Sequence, residues 1–379
     1  MGNPIQVLAD HVTLIAQPRT WIEGDAIQQL ITTAKLAGMQ SVVGMPDLHP
    51  GRGYPVGAAF FSTGVFYPAL IGNDIGCGMA LWQTDMRVGQ TSLDKLEKQI
   101  GSIDGPLDET WESAIANLNL PNSGFERSLG TIGGGNHFAE LQKVESIFDA
   151  DLFQSSGLDR KRLLLLIHSG SRGLGQAVLQ QHVQNHGHAG LVEDSSAADD
   201  YLQQHDAACR FAAANRQLIA RRMLARWRSD GECRFDILHN TLTPATVDGK
   251  NGWLHRKGAS PADQGLLVIP GSRGDYSYLV HATPDVRSLF SLAHGAGRKW
   301  RRGDCQAQMK SRSTLAELSR TALGSRVICH DRQLLVEEAP DAYKRIDDVV
   351  QALHAAGLLQ LVARLQPVLT YKNAGGCCE

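Results

Sequence analysis

The stretch Leu163-Leu164-Leu165-Leu166-Ile167-His168-Ser169-Gly170-Ser171-Arg172-Gly173 runs a short apolar segment directly into a histidine and a glycine-rich loop. A bounded apolar run of this length is typical of a buried β-strand, and a side chain at the end of such a strand is held rigidly. The same arrangement recurs where Phe235-Asp236-Ile237-Leu238 leads into His239-Asn240. The chain is therefore predicted to present reactive side chains at the ends of buried strands.

Three further glycine-flanked segments carry aspartate, cysteine or histidine. They are Asp74-Ile75-Gly76-Cys77, Gly135-Asn136-His137-Phe138 and His294-Gly295-Ala296-Gly297-Arg298. A single site that draws on residues 74 through 294 needs one continuous core. The 379-residue chain is therefore predicted to form one large α/β domain that spans residues 1–379.

Composition limits the class of protein. Hydrophobic residues at 42% and charged residues at 20% describe an ordinary soluble globular chain. A net charge of −2 does not indicate the clearly basic domain of many nucleic-acid-binding proteins. Seven cysteines, including Cys377 and Cys378, are an odd number without a paired framework, which favours a reducing cytoplasm. No apolar run reaches membrane-spanning length, so no membrane partner is expected.

Local patterns predict several helices. They lie at Asp25 to Leu36, at Ser92 to Ile100 and, as the longest, from about Ser195 to Trp227, which begins with an acidic and hydroxyl-rich segment suited to a helix N-terminus. The segment Asn185-His186-Gly187-His188 is predicted to be a loop after a helix, with its histidines in solvent.

The residues of the glycine-flanked segments suggest a metal site. Asp74 and Cys77 are weak evidence by themselves, because a buried cysteine is more often a small core residue. His137, His168 and His239 have similar glycine, asparagine or serine neighbours, and imidazole suits first-row transition metals. Together the five residues form a mixed oxygen, sulfur and nitrogen set that fits Zn²⁺, Mn²⁺, Fe²⁺ or Co²⁺, and the set does not choose among these.

Three glycine loops are candidate phosphate cradles: Gly133-Gly134-Gly135, Gly170-Ser171-Arg172-Gly173 and Gly271-Ser272-Arg273-Gly274. Backbone N–H groups unobstructed by side chains can surround phosphate oxygens, and Arg172 or Arg273 can add bidentate bonds. Each loop is equally well explained as a tight turn. The common nucleotide-binding signatures and the Lys-x-Asp-Gly nucleophile are absent, so nucleotide chemistry would need a different nucleophile.

His294 is the best candidate for that nucleophile, because small residues follow it and leave its ring accessible. A neutral imidazole that attacks phosphorus forms a phosphoramidate and divides one hard displacement into two easier ones. The basic residues that follow, Arg298, Lys299, Arg301 and Arg302, are predicted to face phosphate.

These motifs resemble those of the RtcB family of RNA ligases over nearly the whole chain. The motifs that carry the resemblance are, in order, Met45-Pro46-Asp47-Leu48-His49, Asp74-Ile75-Gly76-Cys77-Gly78, Gly130-Thr131-Ile132-Gly133-Gly134-Gly135-Asn136-His137-Phe138, His168-Ser169-Gly170-Ser171-Arg172-Gly173-Leu174-Gly175, Val247-Asp248-Gly249-Lys250, His255-Arg256-Lys257-Gly258-Ala259, Ile269-Pro270-Gly271-Ser272 and His294-Gly295-Ala296-Gly297-Arg298. The resemblance implies an α+β fold with mixed and antiparallel sheets around a central metal cleft and helices outside.

The resemblance also implies an activity. It implies a cytoplasmic ligase, in RNA repair or tRNA splicing, that joins RNA ends bearing a 3′-phosphate or 2′,3′-cyclic phosphate to 5′-hydroxyl ends. GTP and two Mn²⁺ ions are the implied cofactors, and His294 would attack the GTP α-phosphate to give a histidine–GMP adduct. GMP would pass to the RNA 3′-phosphate, and the 5′-hydroxyl would displace it. An archease-like activator is a further candidate partner, and the sequence does not decide whether it is needed.

Position by position, the resemblance implies two sets of site residues. The implied metal ligands are Asp74, Cys77, His137, His168 and His239, with Cys77 as the bridge. The implied nucleotide-binding residues are Asn136, His137, Glu140, His239, Asn240, Pro270, Gly271, Ser272, Arg273, Ser277, His294, Gly295, Ala296, Gly297, Tyr343 and Lys372. The chain departs from the family pattern at Pro50-Gly51-Arg52-Gly53, where the family has Trp-Gly-Tyr-Gly, and at Gly271-Ser272-Arg273-Gly274-Asp275, where it has Gly-Ser-Met-Gly-Thr.

Two other functions stay open on the sequence. One is a metal-dependent cyclic phosphodiesterase that opens cyclic phosphates without ligation, because Arg273 and Asp275 change the charge beside the nucleotide. The other is a non-catalytic, translation-associated RNA-binding factor. The intact ligand set and His294 argue against the RNA-binding factor, since a protein that has lost catalysis has little physical reason to keep them.

Overall fold

The computed structural model describes residues 3–309 and 315–374, and Cys377 and Cys378 lie outside these ranges. The strands of the described residues are β1 Ile5–Ala9, β2 Val12–Ile15, β3 Met39–His49, β4 Val56–Ser62, β5 Val65–Phe66, β6 Gly78–Arg87, β7 Phe138–Ile147, β8 Arg162–Ser169, β9 Leu191–Val192, β10 Gly231–Leu238, β11 Asn240–Val247, β12 Lys250–Lys257, β13 Ala259–Pro261, β14 Leu266–Pro270, β15 Ser277–Ala282, β16 Ser291–Ala293, β17 Arg326–Cys329 and β18 Leu359–Asn373.

The α-helices of the same residues are α1 Gly24–Thr33, α2 Leu93–Ile100, α3 Glu112–Ala116, α4 Ala150–Ser155, α5 Gly173–His186, α6 Ser196–Trp227, α7 Arg302–Met309, α8 Leu315–Ser319, α9 Arg332–Glu337 and α10 Ile346–Ala355. Short 3-10 helices lie at Pro68–Leu70, Glu109–Trp111, Glu126–Ser128, Ala262–Gln264, Val286–Ser288 and Pro340–Ala342.

Two large sheets organise the molecule. The first has the strand order β1-β2-β3-β4-β12-β11, and only its β2–β3 pair is parallel. The second has the order β10-β6-β8-β7-β18-β15-β14, and β17 pairs in parallel with β18. Two short pairs, β13–β16 and β5–β9, complete the described sheets. Mixed sheets with helices packed outside confirm the predicted α+β fold class.

The two large sheets share one hydrophobic core. Val43 and Phe61 from the first sheet belong to the same buried cluster as Leu267 and Val280 from the second. A shared core is what one domain requires, because each sheet buries its inner face against the other. We therefore retain a single domain over residues 1–379 as a proposal.

The predicted helices are present close to their predicted ends. Ser92 and Ser195 cap α2 and α6, where each side chain accepts a hydrogen bond from a backbone N–H of the first turn. His186 differs from the prediction, because it is the last residue of α5 rather than part of a loop, although it is exposed as expected. No helix among the described residues combines the length and apolarity needed to cross a bilayer.

Arg216, in the middle of α6, forms hydrogen bonds with the ends of several strands of the second sheet. Its side chain is fully buried, and its Nε donates to the carboxylate of Asp236 over 2.7 Å. Its Nη1 donates to the carbonyls of Gly76 at 2.9 Å and Ser169 at 2.8 Å. One guanidinium therefore joins β10 to the loop before β6 and to the end of β8.

This arrangement predicts that Arg216→Ala strongly lowers the stability of the fold. The carboxylate of Asp236 and two buried carbonyls would lose their donor, so we expect the free energy of unfolding to fall by about 3 kcal/mol or more. Urea denaturation measures this change. Arg221→Ala, at an exposed position of the same helix, should change stability by no more than about 0.5 kcal/mol. Equal losses in the two variants would contradict the role assigned to Arg216.

Candidate functional site

The five residues predicted as metal ligands converge at the ends of four neighbouring strands. Asp74 and Cys77 precede β6, His137 precedes β7, His168 is near the end of β8, and His239 follows β10. The pairs β6–β10, β6–β8 and β7–β8 are all antiparallel, so the start of one strand lies beside the end of its neighbour. Antiparallel pairing therefore gathers side chains from distant parts of the sequence.

The donor atoms form two groups that share the Cys77 thiol. One group contains Asp74, Cys77 and His137, the other Cys77, His168 and His239, and within each group the donors lie within 4.8 Å of one another. The Cys77 Sγ lies 3.4 Å from His137 Nε2 and 3.2 Å from His168 Nε2. The His168 and His239 Nε2 atoms are 3.2 Å apart. Nitrogens bound to one tetrahedral ion lie roughly 3.3 Å apart, so the spacing of the His168 and His239 nitrogens fits a pair of metal ligands.

The protonation states of the two buried histidines suit metal binding. His168 Nδ1 donates to the carbonyl of Asn136 over 3.2 Å, which leaves the lone pair of Nε2 for an ion. Burial, reinforced by neighbouring histidines, holds the pKa values of His168 and His239 well below their usual range, so both imidazoles are neutral. Burial raises the pKa of the Cys77 thiol, so an ion is needed to hold it as a thiolate.

Asp74 is kept ionised by its neighbours. Burial alone would raise its pKa, but attraction to His137 and a hydrogen bond from that ring lower it. The Asp74 Oδ2 lies 2.8 Å from His137 Nε2. A side chain at Gly170 would place its Cβ 1.9 Å from Asp74 Oδ1, so the glycine after β8 makes room for this carboxylate. The donor set therefore fits divalent first-row transition metals.

His294, the predicted nucleophile, lies against this centre. Its ring centroid is 4.8 Å from that of His239. The Asp47 Oδ2 lies 2.7 Å from His294 Nδ1 and 3.3 Å from its main-chain nitrogen. Because a carboxylate accepts, Nδ1 carries the proton and the lone pair resides on Nε2. The imidazole is thus oriented by a fully buried aspartate.

Sequence reasoning gave Asp47 no role of its own. Asp47 belongs to the Met45–His49 motif, and a polar residue inside an otherwise buried strand is the signal that could have identified it. Gly297 permits the contact: it has a φ of +71°, and a Cβ there would lie 2.1 Å from the Asp47 carbonyl oxygen. A glycine is therefore required where the loop after His294 crosses β3.

A cavity of about 550 Å³ opens beside His294. This volume is in the range of pockets that hold drug-sized and nucleotide-sized ligands. Twelve of the predicted nucleotide-binding residues line it: Asn136, Glu140, Pro270, Gly271, Ser272, Arg273, His294, Gly295, Ala296, Gly297, Tyr343 and Lys372. His137 and His239 belong to the metal groups and lie outside its lining.

Asn240 and Ser277 are also outside the lining. Asn240 Nδ2 donates to the Asp74 carbonyl at 3.0 Å, and its Oδ1 accepts from the Gly258 N–H at 2.7 Å. The Ser277 hydroxyl oxygen accepts from Gln142 Nε2 at 2.8 Å. Their contact with a nucleotide stays a prediction. In this structure both side chains form hydrogen bonds with other residues of the protein.

One end of the cavity pairs an acid with an amine. Burial raises the pKa of Glu140 to about 7, although hydrogen bonds from Thr370 at 2.5 Å and Gln142 at 2.7 Å oppose this rise. Burial lowers the pKa of Lys372 to about 8, and its Nζ donates to the Gly135 carbonyl over 2.7 Å. The cavity lining therefore contains both a hydrogen-bond acceptor, Glu140, and a donor, Lys372, which a flat polar ring could engage together.

Glu338 was missed by sequence reasoning, because nothing in its local sequence distinguishes it. Its carboxylate lies 3.1 Å from Arg298 Nη1, 3.3 Å from Arg302 Nη2 and 3.7 Å from Lys372 Nζ, and it accepts a hydrogen bond from the Tyr343 hydroxyl. Burial alone would raise its pKa, but these cations hold the pKa at about 2. Glu338 is thus an ionised anion at the centre of three cations.

Two arginines predicted to face phosphate are bonded within the wall. Arg273 Nη1 donates to the Glu338 carbonyl at 2.7 Å and Nη2 to the Leu335 carbonyl at 2.8 Å. Arg298 Nη2 donates to the Glu337 carbonyl at 2.8 Å, and its Nη1 is held by the Glu338 carboxylate. The reason is that unpaired carbonyls at the end of α9 need donors. This corrects the expectation that either guanidinium presents free amino groups to phosphate.

Relatives of known name match the chain over nearly its full length. The family model described as "tRNA-splicing ligase RtcB" matches residues 29–120 and 112–373. The RNA-splicing ligase RtcB2 of Escherichia coli is 55% identical, covering 99% of each chain. The tRNA-splicing ligases RtcB of Aeropyrum pernix and Archaeoglobus fulgidus are each 30% identical, covering 90% and 92% of this chain and 90% and 91% of the relatives. The chain belongs to the RtcB family.

The shared thiol predicts unequal effects on metal content. Cys77→Ala removes a donor from both groups, so the purified protein should bind about two fewer Mn²⁺ ions than wild type. His239→Ala removes a donor from one group and should cost about one ion. Cys209→Ala, which removes a thiol outside both groups, is the matched control and should bind as wild type does. Equilibrium dialysis followed by elemental analysis measures the counts, and an equal loss in the Cys77 and His239 variants would argue against a bridge.

Proposed function

Because the chain belongs to the RtcB family, we propose that it is an RNA ligase that joins 3′-phosphate or 2′,3′-cyclic phosphate ends to 5′-hydroxyl ends. The observation that carries the proposal is the position of His294 between the buried carboxylate of Asp47 and the ligand His239. GTP and two Mn²⁺ ions are its proposed cofactors. RNA repair or tRNA splicing in the cytoplasm is the proposed setting, which the five unpaired cysteines of the described residues support.

The two Mn²⁺ ions are assigned to the two donor groups that share Cys77. Their donor atoms fit several first-row metals, so the choice of manganese rests on the family resemblance. When bound, the ions would polarise a phosphate oxygen and offset the charge that develops on it.

The first proposed step is attack by His294 Nε2 on the α-phosphorus of GTP. A bond forms between nitrogen and phosphorus, and the bond to the pyrophosphate oxygen breaks. The Nδ1 proton stays on the ring and is shared with Asp47, whose carboxylate stabilises the positive charge that the ring acquires. The chain thus supplies both an oriented nucleophile and its counter-charge.

The following steps transfer GMP and close the RNA. An oxygen of the RNA 3′-phosphate attacks the phosphorus of the adduct, the nitrogen–phosphorus bond breaks, and His294 regains its lone pair. The 5′-hydroxyl oxygen then attacks the 3′-phosphorus, loses its proton, and displaces GMP. Activation is needed because GMP is a far better leaving group than the oxide of a bare phosphate monoester.

Glu140 and Lys372 are proposed to read the guanine ring. A carboxylate accepts from the ring N–H groups and an ammonium donates to the ring carbonyl oxygen, which is the pattern of guanine and the reverse of that of adenine. Tyr343, whose ring lies 5.1 Å from the Arg298 guanidinium carbon, provides a flat surface beside them. The proposed position of the base is therefore beside Glu338, which contacts both Tyr343 and Lys372.

The nucleophile assignment is tested by labelling. Incubation with GTP labelled at the α-phosphate and Mn²⁺ should leave an acid-labile, base-stable GMP label on the wild-type protein. His294→Ala should carry no label. Asp47→Asn should keep the fold but label about 10- to 100-fold more slowly, because the orientation of the ring and its counter-charge are lost. Equal labelling of wild type and His294→Ala would show that another residue attacks GTP.

The phosphodiesterase alternative is weakened by where its motivating residues lie. Arg273 donates to main-chain carbonyls. The Asp275 carboxylate accepts from the N–H groups of Tyr276 at 2.9 Å and Ile346 at 3.2 Å. The side chains of Arg273 and Asp275 are therefore bonded to the main chain of the cavity wall, which weakens the argument that they change the charge available to a nucleotide. The two donor groups that share Cys77, with His294 beside them, argue against a non-catalytic RNA-binding factor.

Substrate analysis separates these functions. An oligonucleotide with a 2′,3′-cyclic phosphate and a second with a 5′-hydroxyl should be joined only when both GTP and Mn²⁺ are present. A phosphodiesterase would open the cyclic end at the same rate without GTP and join nothing. A non-catalytic factor would leave both oligonucleotides unchanged, and the His294→Ala protein serves as the control for contaminating ligases.

A further inference from the structure

A second polar pocket lies between the last turns of α5 and the first turns of α6. Its volume is about 160 Å³, and none of its lining residues lines the cavity beside His294. The lining includes Gln181, His182, His186, Asp200 and Tyr201, and among the described residues it contains neither lysine nor arginine. A pocket with this lining is suited to a cation rather than to an anion.

Two buried polar atoms in this lining have no protein partner. They are His182 Nε2 and the Tyr201 hydroxyl oxygen. The two side chains are only 5% and 4% exposed, and their ring centroids are 5.9 Å apart. A buried polar group without a partner costs about 1 to 3 kcal/mol, so two such atoms in one pocket indicate that something occupies it.

His182 is prepared to act as a ligand. Burial lowers the pKa of its ring, and the neighbouring His186 lowers it further. A hydrogen bond with the Ala189 backbone opposes this shift and engages the ring. A neutral imidazole that is fixed through one nitrogen and keeps a lone pair on the other is the usual state of a metal-bound histidine.

His186 lies one helical turn after His182 on the same face of α5. Their ring centroids are 5.4 Å apart with an interplanar angle of 31°. Histidines four residues apart on a helix can bind one transition-metal ion. Both rings also lie near the C-terminal end of α5, where the helix dipole favours a positive charge.

Asp200 supplies a carboxylate from the opposite helix. It lies in α6 next to Tyr201 and, like His186, is exposed, so both side chains can turn toward the buried nitrogen of His182. Such a turn is required, because among the described residues only the groups at Cys77 already bring three donors within 4.8 Å. Once turned, the three side chains form a set of two nitrogens and one oxygen.

We propose that His182, His186 and Asp200 bind one divalent transition-metal ion of the zinc or nickel class, separate from the ions at Cys77. Imidazole donors favour these metals over Mn²⁺ and Mg²⁺. The Tyr201 hydroxyl donates to a water or hydroxide on the ion, which satisfies the second unpartnered atom. The ion cross-links α5 to α6, the helix that holds Arg216 beneath the catalytic centre.

The test counts Zn²⁺ ions on the full chain. Metal-free wild type, His186→Ala, Asp200→Asn and His188→Ala are dialysed against Zn²⁺ and analysed for bound metal. His188 lies two residues beyond His186, is exposed and is not part of the pocket lining, which makes it the matched control. His186→Ala should bind one ion fewer than wild type and His188→Ala, and Asp200→Asn should bind its last ion more weakly.

Two further readouts separate this site from the catalytic centre. Zn²⁺ should raise the melting temperature of wild type and His188→Ala more than that of His186→Ala, because an ion bound only to the folded state stabilises it. RNA joining and GMP labelling by His186→Ala should match wild type. Equal ion counts in His186→Ala and His188→Ala would overturn the proposal, as would a loss of RNA joining together with the catalytic ions. Failure of RNA joining in wild type would instead refute the proposed function and leave the zinc count interpretable.

Discussion

The structure depends on antiparallel strand pairing that forces five donor side chains into one small volume. Such side chains do not gather spontaneously, because four of them are buried, Asp74 is partly buried, and several present lone pairs to one another. The scaffold imposes the arrangement: β6 lies beside both β8 and β10, and Arg216 ties the adjoining loops to α6. Asn240 adds a second tie between the Asp74 loop and Gly258. The folding energy of the sheets thus holds close together charges and lone pairs that a bound ion would satisfy.

His294, the proposed nucleophile, is positioned by different contacts from those that hold the proposed metal ligands. His294 follows a three-residue strand and is oriented by Asp47 from the first sheet, whereas the ligands surround the second sheet. The His294 ring and the two donor groups are therefore brought together by the packing of the two sheets through their shared core. Substitutions that loosen this core would separate the two halves of the site without altering either one.

The features that could be predicted from the sequence are those that depend only on neighbouring residues in the chain. A buried strand that ends in histidine is recognisable within ten residues, so the histidines at the ends of β8 and β10 and the long helix α6 could be predicted. The roles of Glu338 and Arg273 could not be predicted, because a charged residue reads the same in sequence whether its partner is protein or phosphate. Arg273 turned inward because the end of α9, sixty residues later, offers unpaired carbonyls. Asp47 lies between these cases: its motif is visible, but its partner is 247 residues away.

Charge balance in the cavity affects how the proposed nucleotide would be oriented. Arg298, Arg302 and Lys372 would attract a triphosphate, and the ionised carboxylate of Glu338, with one negative charge among these three cations, weakens that attraction. A triphosphate placed there would meet a buried anion, whose repulsion is weakly screened at this depth. A neutral base meets no such repulsion, so in the proposed function Glu338 favours the base over the phosphates as its neighbour, beside Tyr343 and Lys372.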